Sequence, residues 1–159
     1  ECLVGSEMCI RDREDILVGY RWHDTKKVPA LFPFGHGLSY TTFTYGKPVA
    51  SAKAMAADGT LTVTVAVKNT GSIAGKEIVQ LYVGDDKCSV LRPVKELKHF
   101  AKVALAPGQE KSVTFTLTPD DLKFYDEASA AWKYEPGKFK AYVCASSADV
   151  RGVVSFEMQ

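Results

Sequence analysis

What this 159-residue sequence lacks narrows its function first. It has no excess of one charge: 20 Lys and Arg stand against 19 Asp and Glu, a net charge of +1. A nucleic-acid binder needs a basic excess to neutralise phosphates, so that class of partner is excluded. No apolar run approaches the 18 or so residues that a membrane-crossing helix needs, so no membrane span is expected. The start shows no basic segment followed by an apolar stretch, and hence no signal peptide. Either the protein is not exported or its true N-terminus lies upstream. Cysteine is scarce: Cys2, Cys9, Cys88 and Cys144, with no CxxC spacing. That is no disulfide scaffold. Free thiols are the expectation, with a Cys88–Cys144 bridge left open. The three histidines, His23, His36 and His99, show neither HxH nor HExxH spacing. No metal and no cofactor is therefore expected.

Complete catalytic machinery is also missing. There is no GxSxG elbow for a nucleophilic serine. Gly71 to Lys76, GSIAGK, departs from a phosphate-binding loop because Glu77 follows the lysine, and it reads as a loop between strands. Glycoside hydrolysis needs two carboxylates facing each other across a sugar. The acidic pairs here, Asp85-Asp86, Asp120-Asp121 and Asp126-Glu127, are adjacent in sequence and fall at turns or strand ends. Neighbours on a strand point to opposite faces, so these read as solvated turn carboxylates. His36, between two glycines, reads as a structural histidine whose ring bonds nearby backbone carbonyls.

What is present is strand pattern. Leu61, Val63, Val65 and Val67 alternate with threonines and Lys68, and Asn69-Thr70-Gly71 then breaks the strand. Val79, Leu81 and Val83 repeat the rhythm, as do Val113, Phe115 and Leu117, then Phe139, Ala141 and Val143, and finally Val154, Phe156 and Met158. Weaker strands are expected near 49–56, 95–105 and 131–135. Asp58-Gly59, Pro107-Gly108 and Pro136-Gly137 supply turns. Seven or so short strands at this spacing predict an all-β fold, a two-sheet antiparallel immunoglobulin-like sandwich. One helical turn is expected from Pro119 to Phe124, capped by Thr118.

Three zones differ in character. Residues 1–13, ECLVGSEMCIRDR, have no period and resemble translated sequencing-adapter read-through, so they are set aside as a non-native leader. Residues 14–46 form a connector. In it Ile16 to Tyr20 has the length of a short strand, and FPFGHGLSYTTF (32–43) is too rich in glycine and proline for regular structure. Its aromatics predict an extended path along a neighbouring surface. Residues 47–159 form the sandwich. Trp132 and Tyr134 share strand parity and hence a face. Core packing is their default use, and stacking on sugars is the alternative.

Three blocks resemble the C-terminal part of the family-3 glycoside hydrolases, the β-glucosidase and β-xylosidase family. They are VGYRWHD with ALFPFGHGLSYTTF (18–24 and 30–43), VKNTGSIAGKEIVQLYVGD (67–85), and the stretch from Arg92 to Ser147 that contains RPVKELKHFAKVALAPGQEKSVTFTL, LKFYD and YEPGKFKAYVCASS. The resemblance implies a fibronectin type III-like domain at 47–159. It makes residues 14–46 the end of a preceding α/β domain plus a docking connector, with Ile16 to Tyr20 as that domain's final strand. Phe32, Phe34, Gly35, His36, Gly37, Leu38, Tyr40 and Phe43 are the implied docking residues, and the implied partners are the catalytic domains of a longer parent chain. The parent would hydrolyse terminal β-D-glucosides or related β-glycosides with retention, in an extracellular or periplasmic setting. The family's nucleophile lies upstream of every position here, so no catalytic residue carries over and the chain by itself is expected to be inactive. Trp22-His23 stands where family members often have two tyrosines, which keeps the aromatic packing but leaves sugar preference open. The alternative is a free-standing sandwich that binds oligosaccharide through Trp132 and Tyr134, or serves as an extracellular interaction module.

Overall fold

The computed structural model describes residues 14–159; the expected leader (residues 1–13), with Cys2 and Cys9, lies outside the described residues. Among the described residues eleven strands and two short helices follow in order: α1 (Tyr20–Lys26), β1 (Phe43–Tyr45), β2 (Val49–Ala50), β3 (Ala54–Met55), β4 (Leu61–Asn69), β5 (Gly75–Asp85), β6 (Glu96–Leu105), β7 (Glu110–Leu117), α2 (Pro119–Leu122), β8 (Phe124–Asp126), β9 (Ala131–Lys133), β10 (Gly137–Cys144) and β11 (Val150–Met158).

In the first sheet β4 is central. It pairs with β7 along one edge, Leu61 opposite Leu117 through Lys68 opposite Glu110. Its other edge takes β1 near Asn69 and β2 near Val63. The second sheet runs β3-β11-β10-β5-β6, and β8 and β9 form a separate hairpin. Every pairing is antiparallel except β11 with β3, a parallel contact at the sheet edge.

The core sits between the two sheets. Val63, Val65 and Val67 from β4 and Val113, Phe115 and Leu117 from β7 face Val79, Leu81, Phe139, Ala141, Val143 and Phe156 from the other sheet. Phe139 and Phe156 stack with centroids 5.8 Å apart. Each such aliphatic side chain contributes roughly 1.5–3 kcal/mol on burial. The threonines between the β4 valines face outward, where Thr64 and Thr114 bond across the ladder at 2.9 Å. The expected helical turn forms at α2. Thr118 and Asp121 complete a reciprocal cap, the Thr118 N–H donating to Asp121 at 2.8 Å.

Two expectations are corrected. Ile16 to Tyr20 is not a strand: Leu17 N–H donates to the Glu14 carbonyl at 2.7 Å in a tight turn, and Tyr20 opens α1. A strand needs a neighbour to satisfy its backbone, and no ladder reaches this run. The loop at GSIAGK is also shorter than expected, because Gly75 and Lys76 already pair with β6. Cys88 and Cys144 are both free. Burial raises the Cys144 thiol to about 12.

Candidate functional site

In β5 the side chains alternate between the two faces of the sheet. Val79, Leu81 and Val83 fill the sandwich, so Gln80 and Tyr82 point to the outer face. Yet Gln80 is only 3% exposed and Tyr82 is fully buried. Residues 19–43 cover them, and this strap is the candidate site.

Helix α1 presses Tyr20 onto Tyr82 edge to face, with centroids 5.7 Å apart. Phe34 stacks on the other side of Tyr20 at 5.0 Å. The Tyr20 hydroxyl accepts the Leu97 N–H at 2.9 Å. Below these rings the Tyr82 hydroxyl donates to Gln80 Oε1 at 2.5 Å, and Gln80 Nε2 donates to the Ala145 carbonyl at 3.0 Å. Burial pushes the Tyr82 phenol well above its ordinary value, which keeps it a neutral donor. Gly35 crosses directly over Gln80 with φ +78°, and a Cβ there would overlap the Gln80 amide. Next to it the Phe34 carbonyl accepts the Ser147 N–H at 2.8 Å.

Charge fastens α1 from the side. Lys95 Nζ lies 2.7 Å from Asp24 Oδ2, and the two side chains are 9% and 11% exposed. The Lys95 ammonium also sits 5.6 Å over the Tyr82 ring. Val94 N–H donates to Thr25 Oγ1 at 3.1 Å, and Arg21 pairs with Glu96 at 3.4 Å. Burial works to raise the Glu96 carboxyl, but Lys98, Arg92 and Arg21 outweigh it and hold it below the usual glutamate range.

Past Gly35 the strap leaves the surface. Leu38 is 94% exposed and Tyr40 97%; Phe32 is 73% exposed and Phe34 50%. His36 and Gly37 are exposed with them. The His36 ring lies tilted 6.0 Å from Phe32, and among the described residues it makes no hydrogen bond to a backbone carbonyl. The structural role expected of His36 falls instead to His23, whose Nδ1 lies 3.0 Å from the Val28 carbonyl. The chain re-enters at Thr41, whose hydroxyl donates to Asn69 Oδ1 at 2.6 Å. Asn69 is fully buried and also donates to the Ile73 and Leu105 carbonyls at 2.8 and 3.1 Å. Phe43, on β1, packs against the core. An open cavity of about 590 Å³ lies within the strap, between α1 and the segment that follows it, lined by Tyr20, His23, Asp24, Phe32 and Phe34.

The residues expected to dock therefore divide. Phe34 and Gly35 seat the strap on this sandwich, Phe43 joins the core, and Phe32, His36, Gly37, Leu38 and Tyr40 face outward. Tyr20, Asp24, Gln80, Tyr82 and Lys95 complete the site and were not among the expected residues. The sequence did carry one signal for them: the outward positions of β5 hold Gln and Tyr where a solvated face would carry charge.

Trp132 and Tyr134 do not form one platform. Trp132 is 67% exposed on β9, whereas Tyr134 packs against the core. The residue beside Trp132 is Tyr125, edge to face at 5.8 Å. The acidic pairs are also less uniform than expected. The Asp85 side chain is only 4% exposed and lies 3.7 Å from Arg92, because β5 carries it beneath the following loop. Asp120 is exposed, and Asp121 caps α2.

Residues 77–147 match the family model of the fibronectin type III-like domain. The chain is 65% identical over 145 residues to a β-glucosidase of Bacteroides ovatus, covering 91% of this chain and 19% of that protein. Among solved structures it is similar to a family-3 β-glucosidase of Bifidobacterium adolescentis, with TM-score 0.85, 36% identity, and coverage of 91% of this chain and 21% of that one. A β-glucosidase of Kluyveromyces marxianus gives TM-score 0.84 at 40% identity, covering 92% of this chain and 18% of that one. The chain thus spans about a fifth of the length of the relatives it matches.

Proposed function

We propose that this chain, which carries a fibronectin type III-like domain matching a small part of family-3 β-glucosidases, is the accessory and docking portion of such an enzyme. Its sandwich is a rigid foundation, and its strap presents apolar side chains to the catalytic domains of a longer chain. In this reading residues 14–46 form the connector and 47–159 the accessory domain. The parent enzyme hydrolyses terminal β-D-glucosides or related β-glycosides, and this portion supplies shape and stability, not reacting groups. The carrying observation is the split of the strap. One half is locked down by Tyr20, Phe34 and Gly35, while Leu38 and Tyr40, immediately beyond, are almost fully exposed. A segment so firmly placed and so apolar fits a surface that another domain covers.

The test is a chimera in which this chain replaces the matching segment of the Bacteroides ovatus β-glucosidase. The chimera is expected to be soluble and to hydrolyse a nitrophenyl β-glucoside, and the chain alone to show no turnover. Changing Phe32, Leu38 and Tyr40 together to serine is expected to lower the chimera's melting temperature. It should leave that of the isolated chain nearly unchanged. Turnover by the isolated chain, or an indifferent chimera, contradicts the proposal.

The exposed Trp132–Tyr125 pair favours a second reading, oligosaccharide binding by the sandwich itself. It predicts quenching of tryptophan fluorescence by cello- or xylo-oligosaccharides that is lost in Trp132→Ala; flat titrations dispose of it.

A further inference from the structure

Three side chains that the strap does not use converge elsewhere on the sandwich. Asp85 ends β5, Cys88 lies in the loop that follows, and Glu135 lies between β9 and β10. One potential ligand atom from each lies within 4.8 Å of the other two. Asp85 adds a second, independent observation. Its side chain is 4% exposed, and its Oδ2 is buried with no hydrogen-bond partner. Oδ1 accepts the Lys87 N–H at 2.9 Å, but the nearest cation to Oδ2, Arg92 Nη1, stands 3.7 Å away, beyond hydrogen-bond reach. A buried carboxylate oxygen without a donor is costly, and a cation bound closer than Arg92 would relieve it. Glu135 is already oriented: it accepts the Ser89 N–H at 3.0 Å and is bonded by the Ser89 hydroxyl. Such supporting bonds are what hold metal ligands in place.

We propose that Asp85, Cys88 and Glu135 form a three-ligand site for a divalent cation of borderline softness, of the zinc class. The donor set decides the class. Calcium and magnesium take oxygen donors alone, whereas a thiolate beside carboxylates suits zinc. Charge agrees. The two carboxylates and the thiolate would carry three negative charges, Arg92 is shared with Glu96 at 3.1 Å and offsets only part of them, and a divalent ion offsets most of the rest. On binding, a metal–sulfur bond forms, the Cys88 S–H bond breaks and its proton leaves to solvent, with no change of oxidation state. Three protein ligands leave a fourth position for water. The ion would tie the loop after β5 to the loop before β10.

The test uses the full chain with Cys2 and Cys9 changed to serine, so that their thiols contribute no signal. Cobalt(II) serves as the spectroscopic probe and zinc as its competitor. Cobalt is expected to raise a thiolate-to-metal charge-transfer band in the near ultraviolet. Zinc should abolish that band, and Cys88→Ser should lack it. Glu135→Gln should weaken binding by about tenfold or more, since even supporting groups tune metal affinity on that scale. Zinc should also slow alkylation of Cys88 at least tenfold, followed by mass spectrometry against buried Cys144. That measurement needs no variant at Cys88 and decides the matter if Cys88→Ser fails to fold. Absence of the band, unchanged cobalt affinity in a folded Cys88→Ser chain, or unprotected Cys88 overturns the site.

Discussion

Asn69 shows how one side chain can serve as a joint. It ends β4, and its amide ties the returning strap at Thr41 to the Ile73 and Leu105 carbonyls and to the Gly71 N–H. Truncation to alanine leaves several of these buried groups without partners, at about 1–3 kcal/mol each for those that water cannot reach. Asn69→Ala is therefore expected to lower stability by roughly 3 kcal/mol or more in urea titrations. Its role was only half legible: Asn-Thr-Gly announces a break in a strand, but nothing local reveals that the amide faces inward. Glu77 offers a test with a sign. Burial, the largest influence, raises its carboxyl above the usual glutamate range, and the hydrogen bond donated by Tyr45 at 2.7 Å lowers it only in part. A raised carboxyl binds its proton more tightly in the folded than in the unfolded state. Its contribution is full below the unfolded value of about 4.3 and is lost as pH rises through the higher folded value. Glu77→Gln should therefore raise the melting temperature at pH 7, and the gain should vanish as pH falls below about 4. Glu96 has the opposite sign. Its lowered carboxyl stabilises above the unfolded value and loses that contribution as pH falls through the folded one.

At the scale of elements, strands and helix were legible to different degrees for one reason. In β4 buried and less buried side chains alternate from Leu61 to Val67, because one face meets the core and the other meets water. Period two is the direct record of that asymmetry. In β5 six successive residues, Val79 to Gly84, are buried, because the strap covers Gln80 and Tyr82 and the Val94 backbone covers Gly84 on the face that would otherwise be wet. Helix α1 left no comparable trace. Its seven residues have no side-chain cap and none is buried. A helix this short is unstable alone, so contacts remote in sequence make it. The Asp24–Lys95 pair is shorter and more buried than the Arg21–Glu96 pair, and breaking it leaves a buried ammonium without its partner. Asp24→Asn is expected to cost about 3 kcal/mol for seating α1. Limited proteolysis should then cut within residues 20–40 well before the sandwich. Equal resistance in the two chains would mean that aromatic stacking alone holds the strap. Gly35→Ala should loosen the same segment from its other end, since a Cβ at φ +78° meets Gln80.

For the whole molecule, the fold was legible because a sandwich needs only repeated strands with one apolar face and turns between them. The resemblance singled out the strap's residues, but which of them face outward becomes visible only with the sandwich in place. Leu31, Phe32, Leu38 and Tyr40 are all more than 70% exposed, while the apolar groups of the sandwich are largely spent on the core. Water disfavours these groups, and the isolated chain can relieve them only by meeting another chain. The chain is therefore expected to self-associate with rising concentration, as read by sedimentation velocity. Serine at Phe32, Leu38 and Tyr40 should return it to a monomer. The melting temperature at low concentration should hardly move, because these side chains touch little of their own fold. Those outcomes separate a cohesive surface from a destabilised sandwich. Association that persists in the triple variant would move the cohesive surface to the exposed Phe100 and Ile78 on the five-stranded sheet. The strap would then have to be held at its outward half by contacts other than burial against a partner.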